Sequence, residues 1–434
     1  MRSYFISNLN YGGNGAVLAS PDPDVLGGQG GSYRYHWSRD GALSMRALWQ
    51  TFVPGVVNAS LVMPYMMQYV KFVLRAHAQA DPFGEDILTE PKFFLNNSVF
   101  TGGWCRPQND GPALRAVTLM LLAQQLIQNG QMSFVKQYLW TNDPNVYGGG
   151  IIKRDLDWVA NGGWASNTCD LWEEVQSTDF FWNRMAHNRA LYHGANFAGT
   201  MGDSGSAQRY SGVQQQVAGA LLGHWNGVTL IESVNRPLDG ATLAALNDGV
   251  ADDQPTPFSP TSEYVAGTVK TLVEAFCAEY PINNVDSARD VPGTLIGRYP
   301  RDHYGGGNPW ILLSNYLAQL LYRGAQVAAE SRALPTPRAL LLWSKVLAPR
   351  RPVPRGAARW ASHTDFAQEM LAAGDGILQR VRYHVAGAGF HLSEQLDKYS
   401  GFEKSAVDLT WSYATVLTAL FRRDLASKAI REST

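Results

Sequence analysis

Apolar side chains recur at helical spacing in this chain far more often than they alternate. Val265, Val269, Leu272 and Phe276 fall at i, i+4, i+7 and i+11, one face of a helix. Comparable stretches begin near Asp40 (to Phe52), Val57 (to His77) and residues 131, 178 and 206, then follow Trp310 (to Glu330) and run from Thr364 to Val385. Asp110 reads as an N-cap with Pro112 in the first turn of a helix to about Gln128, and Leu409, Tyr413, Val416 and Leu420 mark a last helix. The tally is about eleven helices, joined alternately by short and long loops. Residues 80–109 and 225–260 read as loop and turn, and the Pro- and Arg-rich segment 331–358 as an exposed insertion. The expected fold is all-α, a toroid of helical hairpins whose long loops build a pocket at one end.

A length of 434 residues is enough for two or three average domains or for one large barrel or toroid. With 17 % charged residues and a formal net charge of −1, the chain offers no basic face for nucleic acid or an anionic membrane. The cysteines Cys105, Cys169 and Cys277 are odd in number and show no CxxC spacing, so neither a disulfide framework nor a zinc site is read from them. No signal peptide and no membrane-spanning run is recognised. Glycosylation sequons at Asn58 and Asn96 matter only in a secreted protein.

The stretch Asp170-Leu-Trp-Glu-Glu-Val175 places two carboxylates after a large indole, with Phe180, Phe181 and Trp182 close behind. Such Glu-Glu pairs ordinarily sit on a solvated helix face, but a carboxyl group against an apolar ring is poorly solvated as an anion and becomes a proton donor. Further polar and aromatic clusters lie at 33–40, 103–110 and 298–310, and Glu394 stands among apolar neighbours just before the last helix. Two distant carboxylates framed by Trp, Tyr and Arg fit glycoside hydrolysis, in which one protonates the leaving oxygen and the other activates water or attacks directly. His36, His187, His303 and His391 lack metal-ligand spacing and read as structural or solvated.

These residues fall into ordered blocks. They are Tyr-His-Trp-Ser-Arg-Asp at 35–40, Glu-Pro-Lys-Phe at 90–93, Trp-Cys-Arg-Pro-Gln-Asn-Asp-Gly-Pro-Ala-Leu-Arg at 104–115 and Asp-Leu-Trp-Glu-Glu-Val at 170–175. Gly-Arg-Tyr-Pro at 297–300, Gly-Asn-Pro-Trp at 307–310, Ser-Glu-Gln at 393–395 and Asp-Leu-Thr-Trp-Ser-Tyr at 408–413 continue the series. Together they resemble the fungal-type glucoamylases of glycoside hydrolase family 15. The resemblance implies an (α/α)6 barrel formed by a single catalytic domain over 1–434 and an inverting exo-hydrolase of starch-like α-1,4-glucans, slower on α-1,6 branches, that releases β-D-glucose.

By the same resemblance Glu173 is the general acid and Glu394 the general base, with carboxyl groups about 6.5–9.5 Å apart. Ser405 orients the base, and Tyr33 stands near the attacking water. Arg39 and Asp40 grip the terminal glucose, Trp104 packs over substrate and supports the acid, and Glu174 and Arg298 bind the next glucose. Arg106 and Trp172 line the pocket; Trp310 is either a packing residue or a substrate contact. No metal or organic cofactor is implied, since proton transfer and water attack suffice. The implied partner is starch, glycogen or a malto-oligosaccharide, with no nucleic acid, no membrane and a monomeric state, and the family is mostly secreted.

Departures from the family pattern are Cys105 for a glycine, Ser177 for a glycine, Leu396 for a tyrosine and Arg301 for an acidic residue. Cys105 is expected to crowd its loop, and the family's usual disulfide cysteines are not evident. The family's first barrel helix is expected to be missing or shortened, and no starch-binding domain is expected. Two rivals remain: a family member acting on dextran or trehalose linkages, and a non-catalytic, truncated glucan-binding relative.

Overall fold

The computed structural model describes residues 1–27, 31–52, 59–143, 145, 150–347 and 359–433. These form fifteen α-helices and three two-stranded ribbons. The chain gathers into two compact units, residues 2–223 and 224–434. The start of the Val57 helix, the Asn58 sequon and residues 348–358 of the expected insertion lie outside the described residues.

The first unit opens on a seven-residue helix α1 (Arg2–Asn8). It is followed by β1 (His36–Trp37), α2 (Ser38–Phe52), α3 (Ala59–His77), β2 (Lys92–Phe93) and α4 (Asp110–Gln128). After the short α5 (Met132–Phe134) come α6 (Ile151–Ala160), β3 (Thr168–Cys169), β4 (Gln176–Ser177), α7 (Phe181–Thr200) and α8 (Ser204–Leu222). Helix α4 is the hub, packing against α2, α6 and α7. β1 pairs antiparallel with β2, Trp37 opposite Lys92, and β3 with β4, Cys169 opposite Gln176. These ribbons are short but decide which side chains meet. Asp110 is not the N-cap expected of it. Asn109 holds that position, and Asp110 is the first helical residue, its carboxylate turned to other partners.

The second unit contains α9 (Ala241–Asp248), α10 (Glu263–Glu279), α11 (Pro281–Ala288), α12 (Ile311–Ser331), α13 (Pro337–Leu347), α14 (His363–Val385), the ribbon β5 (Gln395–Leu396) and β6 (Glu403–Lys404), and α15 (Thr410–Ser433). Helix α12 packs against α9, α14 and α15, and α10 against α13. Helix α13 corrects the reading of 331–358 as a plain exposed insertion, because Trp343 is wholly buried and reaches the carbonyl of Thr261 at 3.4 Å.

Five helices escaped the periodicity reading, the seven-residue α1 in a stretch read as loop and four others that each have a reason. Helix α9 is buried on every side, so no polar face marks it. In α6 the buried set includes Lys153 and Asp155, which interrupt the apolar stripe. Helix α13 lies in the Pro- and Arg-rich stretch and buries only Ala339 and Trp343. Helix α11 buries Ile282 with two polar residues, Asn283 and Asp286, because they anchor an arginine. Arg380 of α14 is fully buried and donates to Asn283 Oδ1 (2.9 Å), Ser287 Oγ (3.1 Å) and the Pro292 carbonyl (2.9 Å). It also lies 3.8 Å from Asp286, which His384 meets at 2.7 Å.

Truncating Arg380 would leave buried acceptors unpaired, the costly half of a buried ion pair. The expected loss for Arg380→Ala is about 3–5 kcal/mol in urea unfolding. A loss below about 1 kcal/mol would show that α11 and α14 do not depend on this residue.

Candidate active site

The turn between β3 and β4 carries Glu173. Its backbone lies in the left-handed region, φ 65°, a conformation costing a non-glycine residue on the order of 1–3 kcal/mol. Asp170 holds the turn: its carbonyl accepts from Glu173 N (3.0 Å) and its Oδ1 from Glu174 N (2.7 Å) and Val175 N (3.0 Å). The two adjacent glutamates therefore part company. Glu174 is exposed, whereas Glu173 turns inward with 15 % side-chain exposure.

Three N–H groups converge on the Glu173 carboxylate. Oε1 accepts from Trp37 Nε1 (3.0 Å) and Gln108 Nε2 (2.9 Å), and Oε2 from Trp104 Nε1 (2.9 Å). The indoles that donate to Glu173 are thus Trp37 and Trp104, while Trp172, the neighbour in sequence, is buried beside the turn. Burial pushes the Glu173 carboxyl above its ordinary range, and the Arg39 charge, the Gln108 bond, the Lys92 charge and the Trp104 bond pull the other way.

Gln108 is itself held. Arg39 donates to Gln108 Oε1 (2.7 Å) through Nη2 and to Asp110 Oδ2 (2.6 Å) through Nε, and its Nη1 lies 3.7 Å from Glu173. Trp182 Nε1 donates to the same Asp110 oxygen at 2.8 Å. Arg39 is 4 % exposed, so α2, α4 and α7 meet through one buried cation. Lys92 sits in an aromatic cage, its Nζ 3.7 Å from the Trp104 ring centre, 4.1 Å from Tyr35 and 4.4 Å from both Trp37 and Phe100. Burial lowers its pKa to about 8. Tyr33 lies against Trp37 with ring centres 5.4 Å apart. Arg106, expected to line the pocket, is instead committed to Glu90 (2.6 Å through Nε, 3.1 Å through Nη2).

Cys105 and Cys169 form a disulfide, with Cα atoms 6.0 Å apart. The sequence reading found no such pairing and expected Cys105 to crowd its loop. The second cysteine is 64 residues away, and only the β3 turn brings the two together.

In the second unit, Gly297 precedes Arg298, and a Cβ there would stand 1.7 Å from Tyr280 Oη, so only glycine fits. Arg298 is buried and bidentate to Asp302, at 2.8 and 2.6 Å. Its guanidinium lies 5.4 Å from the centre of the Trp310 ring, which is buried, and Trp310 bridges to Gln395. That bridge brings the Arg298 loop to the Glu394 segment. Glu394 is 1 % exposed, and its Oε2 accepts from Gln395 Nε2 (3.0 Å) and from Ser405 Oγ. Ser405, like Glu173, has a left-handed backbone, φ 68°.

The histidines behave as expected of structural groups. Burial takes His36 down to about 3 and His187 to about 4; His36 accepts from Val17 N, and His187 pairs with the Asn109 carbonyl. His391 meets Asp408 at 2.7 Å, and His303 is exposed. Among the described residues no three His, Cys, Asp or Glu side chains group as metal ligands. Sequence reasoning missed Trp37, Lys92, Gln108, Asp110, Asp302 and Gln395 as parts of these clusters. Apart from Asp302, all lay in the quoted blocks, and what marks them, convergence on one carboxylate or one guanidinium, exists only in space.

Asp40 is 7 % exposed, and burial raises its pKa from 3.8 to about 7 against the lowering pull of Arg39; Glu173 and Asp110 raise it further. The folded chain therefore keeps a proton on Asp40 that the unfolded chain has released. Stability falls as pH rises from 3.8 to about 7 and the loss is complete above that, at most on the order of 4 kcal/mol. Asp40→Asn removes the ionisation. It should melt above the wild type at pH 8, with the gain vanishing below pH 4. A variant no more stable at pH 8 than at pH 4, relative to wild type, would contradict this.

Residues 6–421 match the family described as glycosyl hydrolases family 15. A glucoamylase of Blastobotrys adeninivorans is 32 % identical over 98 % of this chain and 70 % of that protein, and glucoamylase 1 of Rhizopus oryzae is 31 % identical over 97 % and 69 %. A family 15 glucoamylase structure from Hypocrea jecorina superposes with a TM-score of 0.81 at 30 % identity, covering 98 % of this chain and 70 % of that one. The glucoamylase structure from Saccharomycopsis fibuligera gives 0.80 at 26 % identity, covering 98 % and 93 %. The fold class is the all-α, (α/α)6 class expected from the sequence, and the chain belongs to glycosyl hydrolases family 15.

Proposed function

We propose that this chain is a glucoamylase: a single-domain, exo-acting, inverting hydrolase that releases β-D-glucose from the non-reducing ends of starch, glycogen or malto-oligosaccharides, and cuts α-1,6 branches more slowly. The observation that carries the reading is the environment of Glu173. Burial keeps its carboxyl protonated to higher pH than in water, while Trp37, Trp104 and Gln108 already aim N–H groups at it. Those donors strengthen as the proton leaves for the glycosidic oxygen and negative charge appears on the carboxylate. They favour the transition state over the ground state, each hydrogen bond to a charged group contributing about 1.5–3 kcal/mol.

Glu394 takes the complementary part. Ser405 and Gln395 both donate to Oε2, fixing the carboxylate's orientation. Glu394 Oε1 then accepts a proton from the water that attacks the anomeric carbon from the face opposite the leaving oxygen. Asp40 and Arg39 hold the hydroxyls of the terminal glucose, Tyr33 borders the attacking water, Trp104 covers the sugar, and Glu174 and Arg298 meet the next unit.

The Cys105–Cys169 bridge supports secretion, because disulfides persist in oxidising compartments. The Asn96 sequon is exposed. No described helix is long and apolar enough to cross a membrane. The enzyme acts as a monomer.

Proton NMR of maltoheptaose digestion tests the reading. Wild type should release β-glucose first, and Glu173→Gln and Glu394→Gln should each lower turnover by about 10²–10⁴-fold. α-Glucose as the first product would overturn the inverting mechanism, and glucose release unaffected by either substitution would overturn the assignments.

A further inference from the structure

We propose that the Cys105–Cys169 disulfide is a positioning element of the hydrolytic site: it staples the loop carrying Trp104 and Gln108 to the turn carrying Glu173, so that turnover requires the oxidised bridge. This rests on the reading of Glu173 as proton donor.

The two segments it joins are irregular and lie far apart in sequence. One runs from Trp104 to Asn109; the other is the β3 turn, whose strands pair over two residues only. Cys105 adjoins Trp104, which donates to Glu173 Oε2, and its carbonyl accepts from Gln108 Nε2 (3.2 Å), the same nitrogen that donates to Glu173 Oε1. Cys169 directly precedes Asp170, the residue that shapes the Glu173 turn. The bridge therefore ties the base of one donor loop to the base of the acceptor turn.

The remaining ties across this seam are hydrogen bonds. Cys169 N donates to the Pro107 carbonyl (2.9 Å), Asn109 N to Thr168 Oγ1 (3.0 Å) and Gln176 Nε2 to the Arg106 carbonyl (2.5 Å). None of them reaches Trp104, whose other ties lie on its own side of the seam: Arg106 Nη1 donates to the Gly102 and Trp104 carbonyls (3.1 and 3.5 Å), and Lys92 Nζ lies 3.7 Å from its ring. Gly102 and Gly103 precede it, and a Cβ on Gly103 would meet nothing within 4 Å, so the entry to the loop is open on that side. Trp104 and Cys105 are both partly exposed while Cys169 is buried, so a small reductant meets the bridge from the Cys105 side. In reduction, Cys105 and Cys169 take up two electrons and two protons as a dithiol reductant closes its own disulfide.

When the bridge opens, Trp104 loses its fixed approach to Oε2 and water reaches the carboxyl. Burial is the largest influence on Glu173, so wetting returns its protonation towards the ordinary glutamate range. The charged groups around it are Arg39 and Asp40 on α2, Lys92 on β2, which itself rests on the Trp104 ring, and Asp110 on α4. A general acid works only while protonated, so the basic limb of the pH–rate profile should move to lower pH.

The test compares oxidised wild type, wild type reduced with dithiothreitol, and the Cys105→Ser/Cys169→Ser double variant, all on maltose well below their melting temperatures. The expected result is a kcat lower by about tenfold in the last two, the scale of one hydrogen bond to a charged group, with the basic limb displaced downward. The double variant should not respond to dithiothreitol. Lower melting temperatures with unchanged kcat and pH profile would overturn the proposal, leaving the bridge a stabiliser only. Free thiols at both positions in the unreduced protein, read by alkylation and mass spectrometry, would also overturn it. Oxidised wild type without turnover would overturn the hydrolase reading and this role with it.

Discussion

The first unit depends on the buried guanidinium of Arg39. A single cation, 4 % exposed, joins Asp110 at the start of α4 to Gln108 in the preceding loop. Asp110 is fixed in turn by Trp182 of α7. Because the guanidinium is a rigid fork, it sets the Gln108 side chain by its carbonyl oxygen and leaves the amide N–H₂ to point at Glu173. A lysine offers no such fork, and an apolar residue would strand Asp110 without its cation. The environment of Glu173 is thus built from the helix packing outward, with the Gln108 side chain that meets it set by Arg39.

The same interior sets charges against solvation. Asp40 is pushed up to about 7 and Lys92 down to about 8, both chiefly by burial. Each is a group the fold would be more stable without. A carboxyl and an ammonium kept near neutrality are useful where hydroxyl-bearing ligands are held and a proton is moved, which is the usual exchange of stability for function. Left-handed backbone at both Glu173 and Ser405 belongs to the same pattern. In each case neighbouring hydrogen bonds hold a conformation that a non-glycine residue rarely adopts alone.

Much of this was legible in the sequence. Long amphipathic helices such as α10 follow from spacing alone, and the ordered blocks carry Glu173, Glu394, Arg39 and Asp40. Burial accounts for two of the missed helices, because it erases the contrast between faces on which periodicity depends. Helix α9, buried throughout, and α11, whose inward face is polar to receive Arg380, show no stripe to read. Partners met through space were equally hidden. Trp172 looked like the ring beside Glu173 because it is next in sequence, yet the β3–β4 turn delivers the carboxylate to Trp37 and Trp104, 136 and 69 residues away. The Cys105–Cys169 pairing and the commitment of Arg106 to Glu90 were concealed for the same reason.

The central claim is that the fold holds Glu173 as a protonated acid above the pH at which a glutamate in water ionises. The direct measurement is a titration of its carboxyl by ¹³C NMR of glutamate-labelled protein, with Glu173→Gln identifying the resonance. A midpoint above the ordinary value of about 4.3 is the predicted result. A midpoint at or below that value would mean that the N–H groups and the Arg39 charge outweigh burial, and would contradict the account.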